Sequence, residues 1–195
     1  VMQLAGFEEQ EDPAIDRQIE INLRAVIHGT RAAARLMGPR GGHIVNIASA
    51  AGKFGFPGGA AYCATKHGVV GFSEAVRLEL RGSGIEVSCV MPAVVRTELA
   101  AGLGEARLIR SVTAEQVADA IVHALRFPRF DVFVPRNLAA MYRLMSVLPR
   151  GSAEWLLHAL GGDRILSDAV GSAARARYEL RASASAPAAQ SEQKG

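Results

Sequence analysis

Gly42-His43-Ile44-Val45-Asn46-Ile47-Ala48-Ser49-Ala50-Ala51-Gly52 decides the fold. Ile44 to Ile47 is an apolar, mostly β-branched run, and small residues closed by a glycine follow it. A run of this kind bounded by turn signals reads as a buried strand. Ser49 then falls just past the strand's carboxyl end. A second apolar run, Ile85-Glu86-Val87-Ser88-Cys89-Val90-Met91, leads into Pro92-Ala93-Val94-Val95-Arg96-Thr97. Between the two runs a helical stretch extends from Gly59 to about Arg81, stopped by Gly82-Ser83-Gly84. Strand, helix, strand is the repeating unit of a parallel α/β sheet. In open sheets of that kind, ligands bind at the carboxyl edge, where Ser49 lies.

The same helical stretch carries Ala61-Tyr62-Cys63-Ala64-Thr65-Lys66. Side chains four apart on a helix share a face, so the Lys66 ammonium can stand beside the Tyr62 phenol. A phenol titrates near ~10 in water, too high for ready proton transfer at neutral pH. A cation about 4–5 Å away at an effective dielectric of about 20 would favour the phenolate by roughly 3–4 kcal/mol. The expectation is therefore a Tyr62 pKa lowered by Lys66 toward the range of a general acid or base. Ser49, placed at the same rim, can hold a carbonyl oxygen while charge builds on it. Tyr-x-x-x-Lys alone is weak, because a surface lysine four residues from a buried aromatic is common. The strand ends on either side give it weight.

With these pieces in order, the chain resembles the short-chain dehydrogenase/reductase family. Ile44–Ser49, Tyr62–Lys66 and Pro92-Ala93-Val94-Val95-Arg96-Thr97 carry the resemblance, the last with Ala93 where the family has glycine. Ile21-Asn22-Leu23 falls where the family places a catalytic asparagine. The resemblance runs from Val1 to about Pro135. It implies the C-terminal part of a doubly wound, parallel-sheet Rossmann fold of the α/β class, with extra C-terminal helices. It also implies hydride transfer between NAD or NADP, undecided between the two, and an alcohol or ketone. Tyr62 would exchange the proton, Ser49 would hold the substrate oxygen, and Asn22 would order a relay water near Lys66. Lys66 and Tyr62 would also meet the nicotinamide ribose, while Pro92, Ala93, Val95 and Thr97 would fix its carboxamide. Asn22 can also be read as a core asparagine bonded to a main-chain carbonyl.

The family's opening strand and glycine-rich phosphate loop have no counterpart here, and Val1-Met2-Gln3-Leu4 resembles the residues just after its fourth strand. The expectation is a truncated chain, inactive in isolation. The rival reading is a non-catalytic half-domain that associates with itself or with a full-length relative. A homodimer or homotetramer is expected through the two long helices, using Leu23, Ile27, Val70 and Phe72.

Asp12-Pro13 marks the start of the first of these helices, an acid at the cap and proline at the first helical position, running to about Met37. Its stripe is read as Ile15, Ile19, Val26 and Ala33, with Asn22 on the same face. The connection from Glu98 to Val112 would cover the substrate in the family, and Leu99, Leu103, Leu108 and Ile109 suit an apolar one. Thr113-Ala114-Glu115-Gln116 reads as a capping box opening a helix to Leu125, and Asp131–Pro135 as a last strand. The domain reading is 1–135 for the catalytic part, 136–181 for a helical extension and 182–195 for a disordered tail. Within the extension, helices are expected at 138–145, 154–160 and from Asp163 to Leu180. They either pack onto the domain or, since Trp, Tyr and Met sit beside arginines, face lipid or cover the substrate.

The chain has 195 residues and a formal net charge of +3, with arginines scattered among acids. That pattern argues against nucleic-acid binding. Cys63 and Cys89 lack metal-ligand spacing and read as reduced core thiols. The histidines, at 28, 43, 67, 123 and 158, form no ligand motif, so no metal is expected. No transmembrane run or signal peptide is visible, and the expected compartment is the cytoplasm.

Overall fold

The computed structural model describes residues 1–104, 111–162 and 164–184. Three parallel strands form the sheet in the order β1 (Gly42–Ile47), β2 (Ile85–Pro92), β3 (Asp131–Val134). Ile44 pairs with Val87 and Ile47 with Val90, and Val90 in turn pairs with Val132. From Val87 to Pro92 the central strand β2 is buried at every residue, which is why it reads as an almost unbroken apolar run. Among the described residues β1 has no strand on its other side, and Ile47 is 41% exposed there.

Helix α1 (Asp12–Ile19) passes through a π-helical turn, Glu20–Arg24, into α2 (Ala25–Met37). The cap is Glu11, one residue before the expected acid, with Pro13 inside the first turn. The buried positions of this long helix are Gln18, Asn22 and Thr30, whereas Ile19 faces outward. The apolar stripe drawn from sequence was thus wrong at Ile19. Three polar residues occupy the inner face instead; Asn22 and Thr30 are hydrogen-bonded, and Gln18 Oε1 accepts from Gln3 N at 3.3 Å while its Nε2 has no partner among the described residues. Thr30 Oγ1 donates to Asn46 Oδ1 at 2.9 Å, and Asn46 Nδ2 donates to Ser73 Oγ at 2.9 Å. One asparagine in the middle of β1 therefore ties α2 and α3 (Ala60–Glu79) to the sheet.

After β2 the chain enters α4 (Ala114–Arg126), opened by the expected capping box. Gln116 N donates to Thr113 Oγ1 at 3.2 Å, and Thr113 N to Gln116 Oε1 at 2.9 Å. Helices α5 (Asn137–Val147) and α6 (Arg150–Ala159) follow β3. The expected third helix from Asp163 is broken into α7 (Arg164–Ser167) and α8 (Ala173–Ala184), because Gly171 adopts φ +75° in the turn between them. Helix α8 continues past residue 182, and Ala182 is buried, so the predicted tail boundary was early; residues 185–195 lie outside the described ones. Leu138, Ile165, Leu166 and Ala169 share one apolar core with Tyr62, Val69 and Met91, so the helical extension packs on the sheet domain. Val70 is also core, and Leu23 packs on Gly68, which removes both from the apolar positions assigned to a dimer face. Ile27 and Phe72 remain partly exposed.

Gly52 joins the β1 loop to α3 at backbone contact. A Cβ built there would lie 2.7 Å from the Lys66 carbonyl oxygen and 2.9 Å from Val70 Cγ2. Neither neighbour can swing away, so Gly52→Ala is expected to cost about 1–3 kcal/mol. Thermal melting checks it; an unchanged Tm would show that the loop has room to move.

Candidate active site

The β1 strand ends by turning out of the sheet, and Ser49 takes up extended backbone as the cap of a short 3-10 turn, Ala50–Gly52. Its Oγ accepts from Ala51 N at 3.1 Å, which fixes the hydroxyl at the rim. Because Gly52 lets this turn lie on α3, the serine is held over the helix's first turns. Tyr62 occupies one of these and Lys66 the next. Asn22 reaches the same place from the π-helical turn, a feature often found where a helix must aim a functional side chain. Ser49, Tyr62, Lys66 and Asn22 therefore line one cavity of about 200 Å³.

The cavity sits at the carboxyl edge of the sheet, with Pro92, Ala93, Val94 and Val95 continuing from β2 along one wall. Leu99 and Leu103 lie along it, as expected of the connection after β2; Leu108 and Ile109 lie outside the described residues. Thr97 does not line this cavity. It caps the next 3-10 turn and its Oγ1 donates to Val95 O at 3.3 Å, so the structure does not bring it to the other site residues.

Tyr62 is held up to about 12, and burial is the main cause; its hydrogen bond with Ser49 pulls the other way. This overturns the expectation of a phenol lowered by its lysine. The Lys66 ammonium stands 5.9 Å from the Tyr62 ring centre and donates to Ile47 O at 3.2 Å. Burial acts on the lysine too and brings it down to about 8. Burial thus shifts both groups toward their neutral forms, the response of titratable groups placed in an apolar cavity.

Asn22 is fully engaged. Its Oδ1 accepts from the Val1 nitrogen at 2.7 Å, and its Nδ2 donates to Val1 O at 2.7 Å and to Thr65 Oγ1 at 3.4 Å. Those partners match a core asparagine satisfied by main chain.

Several contributors were not foreseen. Phe54 and Phe56 on the β1–α3 loop, Met141 on α5, Leu157 on α6 and Leu166 on α7 make the far wall apolar. Arg175 on α8 is only 1% exposed and holds the main chain beneath the site. It donates to Leu99 O at 2.7 Å, to Met2 O, and to Glu179 Oε1 at 3.1 Å. Glu179 in turn accepts from Leu4 N at 2.9 Å. The i, i+4 spacing of Arg175 and Glu179 was visible in the sequence, but a surface pair has the same spacing.

A hydroxyl, a phenol and an amine are thus gathered at the carboxyl edge of a parallel sheet, in a largely apolar cavity of an α/β protein. The chain belongs to the short-chain dehydrogenase family, whose model matches residues 1–108. Estradiol 17-beta-dehydrogenase 11 of Mus musculus is 30% identical over 162 residues, covering 81% of this chain and 54% of that protein. A putative ketoacyl reductase of Streptomyces coelicolor is 41% identical over 116 residues, covering 57% of this chain and 44% of that one. The chain thus spans about half the length of these curated relatives. A short-chain dehydrogenase from Sphingobium yanoikuyae, solved in complex with NADPH, superposes with a TM-score of 0.65 at 30% identity. It covers 81% of this chain and 61% of its own. One from Burkholderia cenocepacia, solved with NADP, gives a TM-score of 0.70 at 21% identity, covering 82% of this chain and 65% of its own, and supports the fold.

The folded Lys66 value of about 8 lies below the ordinary 10.5. At pH 7 the folded protein therefore carries a charge that burial opposes. As pH climbs from about 8 toward 10.5, the folded amine is neutral while the unfolded one still binds its proton, so stability rises. Lys66→Met is expected to be more stable than the parent by about 1–2 kcal/mol at pH 7, allowing for solvent screening. The gap should close above pH 10.5. Denaturant titrations at the two pH values check this, and a pH-independent difference would contradict it.

Proposed function

We propose that this chain carries the reaction centre of an NAD(P)-dependent oxidoreductase interconverting an apolar alcohol and its ketone. The observation that carries the reading is the convergence of Ser49, Tyr62 and Lys66 on one apolar cavity at the sheet's carboxyl edge. The solved relatives bound to NADP and NADPH support the cofactor class. Bound there, the nicotinamide would supply or accept a hydride.

The residues present fit one half of such a cofactor. Lys66, Tyr62 and the main chain of Pro92 to Val95 offer donors, acceptors and a flat apolar wall for a nicotinamide and its ribose. The glycines that open α3 do not form a phosphate cradle, because Leu166 stands 2.6 Å from a Cβ on Gly59 and Val170 3.0 Å from one on Gly58. No pyrophosphate contact is assigned to the described residues.

In the reducing direction Tyr62 donates its proton to the substrate oxygen as negative charge grows there, and the Ser49 hydroxyl donates a hydrogen bond to the same oxygen. A phenol held near 12 keeps that proton at neutral pH, so the donor is loaded before substrate arrives. Lys66, near 8, is the stronger acid of the pair and can return a proton to the phenolate. Asn22 orders the main chain beside Lys66 through Val1. Leu99, Leu103, Phe54 and Met141 select an apolar substrate body by excluding water around it.

A second reading has its own observation, the open edge of β1 with Ile47 exposed. On it, the chain acts only by pairing with another copy or a longer relative. Assembly through α2 and α3 is compatible with both readings, and Phe72→Arg is expected to shift the sedimentation of such an assembly to that of the single chain. Unchanged sedimentation would place the contact elsewhere.

The catalytic reading is tested on protein containing this chain, with NADH or NADPH and a series of apolar ketones. Tyr62→Phe is expected to lower kcat by about 10²–10⁴-fold with cofactor affinity little altered, and Ser49→Ala to lower it comparably. A Tyr62→Phe protein that keeps more than about a tenth of the parent's kcat would remove Tyr62 from the proton transfer.

A further inference from the structure

The outer face of the α5–α6 pair belongs to no site described above. Positions 136, 140, 143, 144 and 147 recur at helical spacing opposite the buried Leu138, and all five are exposed. Leu144 is 52% exposed and Val147 78%, and on α6 the Trp155 side chain is 70% exposed. Leu148, which follows α5, and Trp155 of α6 line one groove. The polar residues of this face are biased in sign. Arg136 and Arg143 share the row with Leu144 and Val147, and Arg150 opens α6. The acidic residue between 136 and 162 is Glu154, whose carboxylate lies 3.1 Å from Arg150 Nε.

We propose that this face docks on an anionic lipid surface. Exposed leucine, valine and indole set among arginines match the chemistry of the headgroup boundary, where apolar side chains enter the acyl region and guanidinium groups meet phosphate. Indole is suited to that depth, with an apolar body and one N–H donor. A second copy of the chain is a poorer occupant. A two-fold pairing of this face would bring two sets of Arg136 and Arg143 into one interface, with Glu154 the one acid on α5 or α6 to offset them. No helix among the described residues is long and apolar enough to cross a membrane, so the contact lies in the plane of the interface. The inner side of the same pair supplies Met141 and Leu157 to the apolar cavity. Docking would therefore place the outer side of that cavity wall against the bilayer. The surface stands independently of the catalytic reading.

Trp155 is the chain's one tryptophan, so its emission reports on this face alone. The full chain is titrated with phosphatidylcholine vesicles, with and without about one-third phosphatidylglycerol, in low and high salt. The expected result is a blue shift of Trp155 emission and co-flotation with the anionic vesicles, weakened by salt. Val147→Glu should lower the partition at least about tenfold. The Arg136→Glu, Arg143→Glu double variant should do the same, since each arginine near such a surface contributes about fivefold. Thermal melting confirms that the variants are folded, and the salt dependence of the unaltered chain needs no variant. Partition that is absent, equal on uncharged vesicles, or unchanged by either variant overturns the proposal. So does a blue shift that grows with protein concentration without lipid, which would assign the face to self-association.

Discussion

The approach of Gly52 to the backbone of α3 is the constraint on which the site depends. The serine belongs to a loop after β1, while the tyrosine and lysine belong to a helix, and nothing covalent sets the distance between them. Contact between a residue without a side chain and the Lys66 carbonyl removes the slack. With that contact made, Ser49 caps its own turn and Tyr62 falls beneath it. The Asn46 network then prevents α3 from sliding along the sheet, because a shift would leave buried amide groups unpaired. A polar residue inside an apolar strand here sets register.

The electrostatics follow from the walls. The cavity opposes charge on both the phenol and the amine, and the Tyr62–Ser49 hydrogen bond offsets only part of this for the phenol. An arrangement that raises one group and lowers the other brings their proton affinities into inverse order, with the lysine the readier donor. The proton delivery proposed for Tyr62 would draw on that order. The lysine's depressed value also means that the site destabilises the fold that holds it.

Local patterns were legible in the sequence. The strands after Gly42, Ile85 and Asp131, the helix bearing Tyr62, and the capping box at Thr113 are each written within a few residues. Ser49, Tyr62 and Lys66 were singled out by their spacing and place on strand end and helix, Asn22 by the family resemblance, and all four line one cavity. What escaped depended on distant partners. Whether Ile19 or Gln18 faces inward depends on what packs there, and Val70 looked spare only while its neighbours in the core were unknown. The sign of the Tyr62 shift was misjudged because helical spacing reveals a cation four residues away but not the apolar residues that surround both. Thr97 illustrates the same limit, since a motif match does not fix the direction in which a loop leaves its strand.

Arg175 and its neighbours join the two ends of the described chain. Glu179 binds Leu4 and Tyr178 binds Met2 across separations of 175 and 176 residues. During synthesis, therefore, Met2 and Leu4 meet these partners only after about 175 further residues have been made, whereas Val1 can pair with Asn22 much earlier. The sheet and its helices use nearer contacts and can assemble earlier. Until α8 is made, the main-chain groups of Met2 and Leu4 lack these partners, so the edge of the cavity that Met2 lines is fastened later than the sheet and its helices.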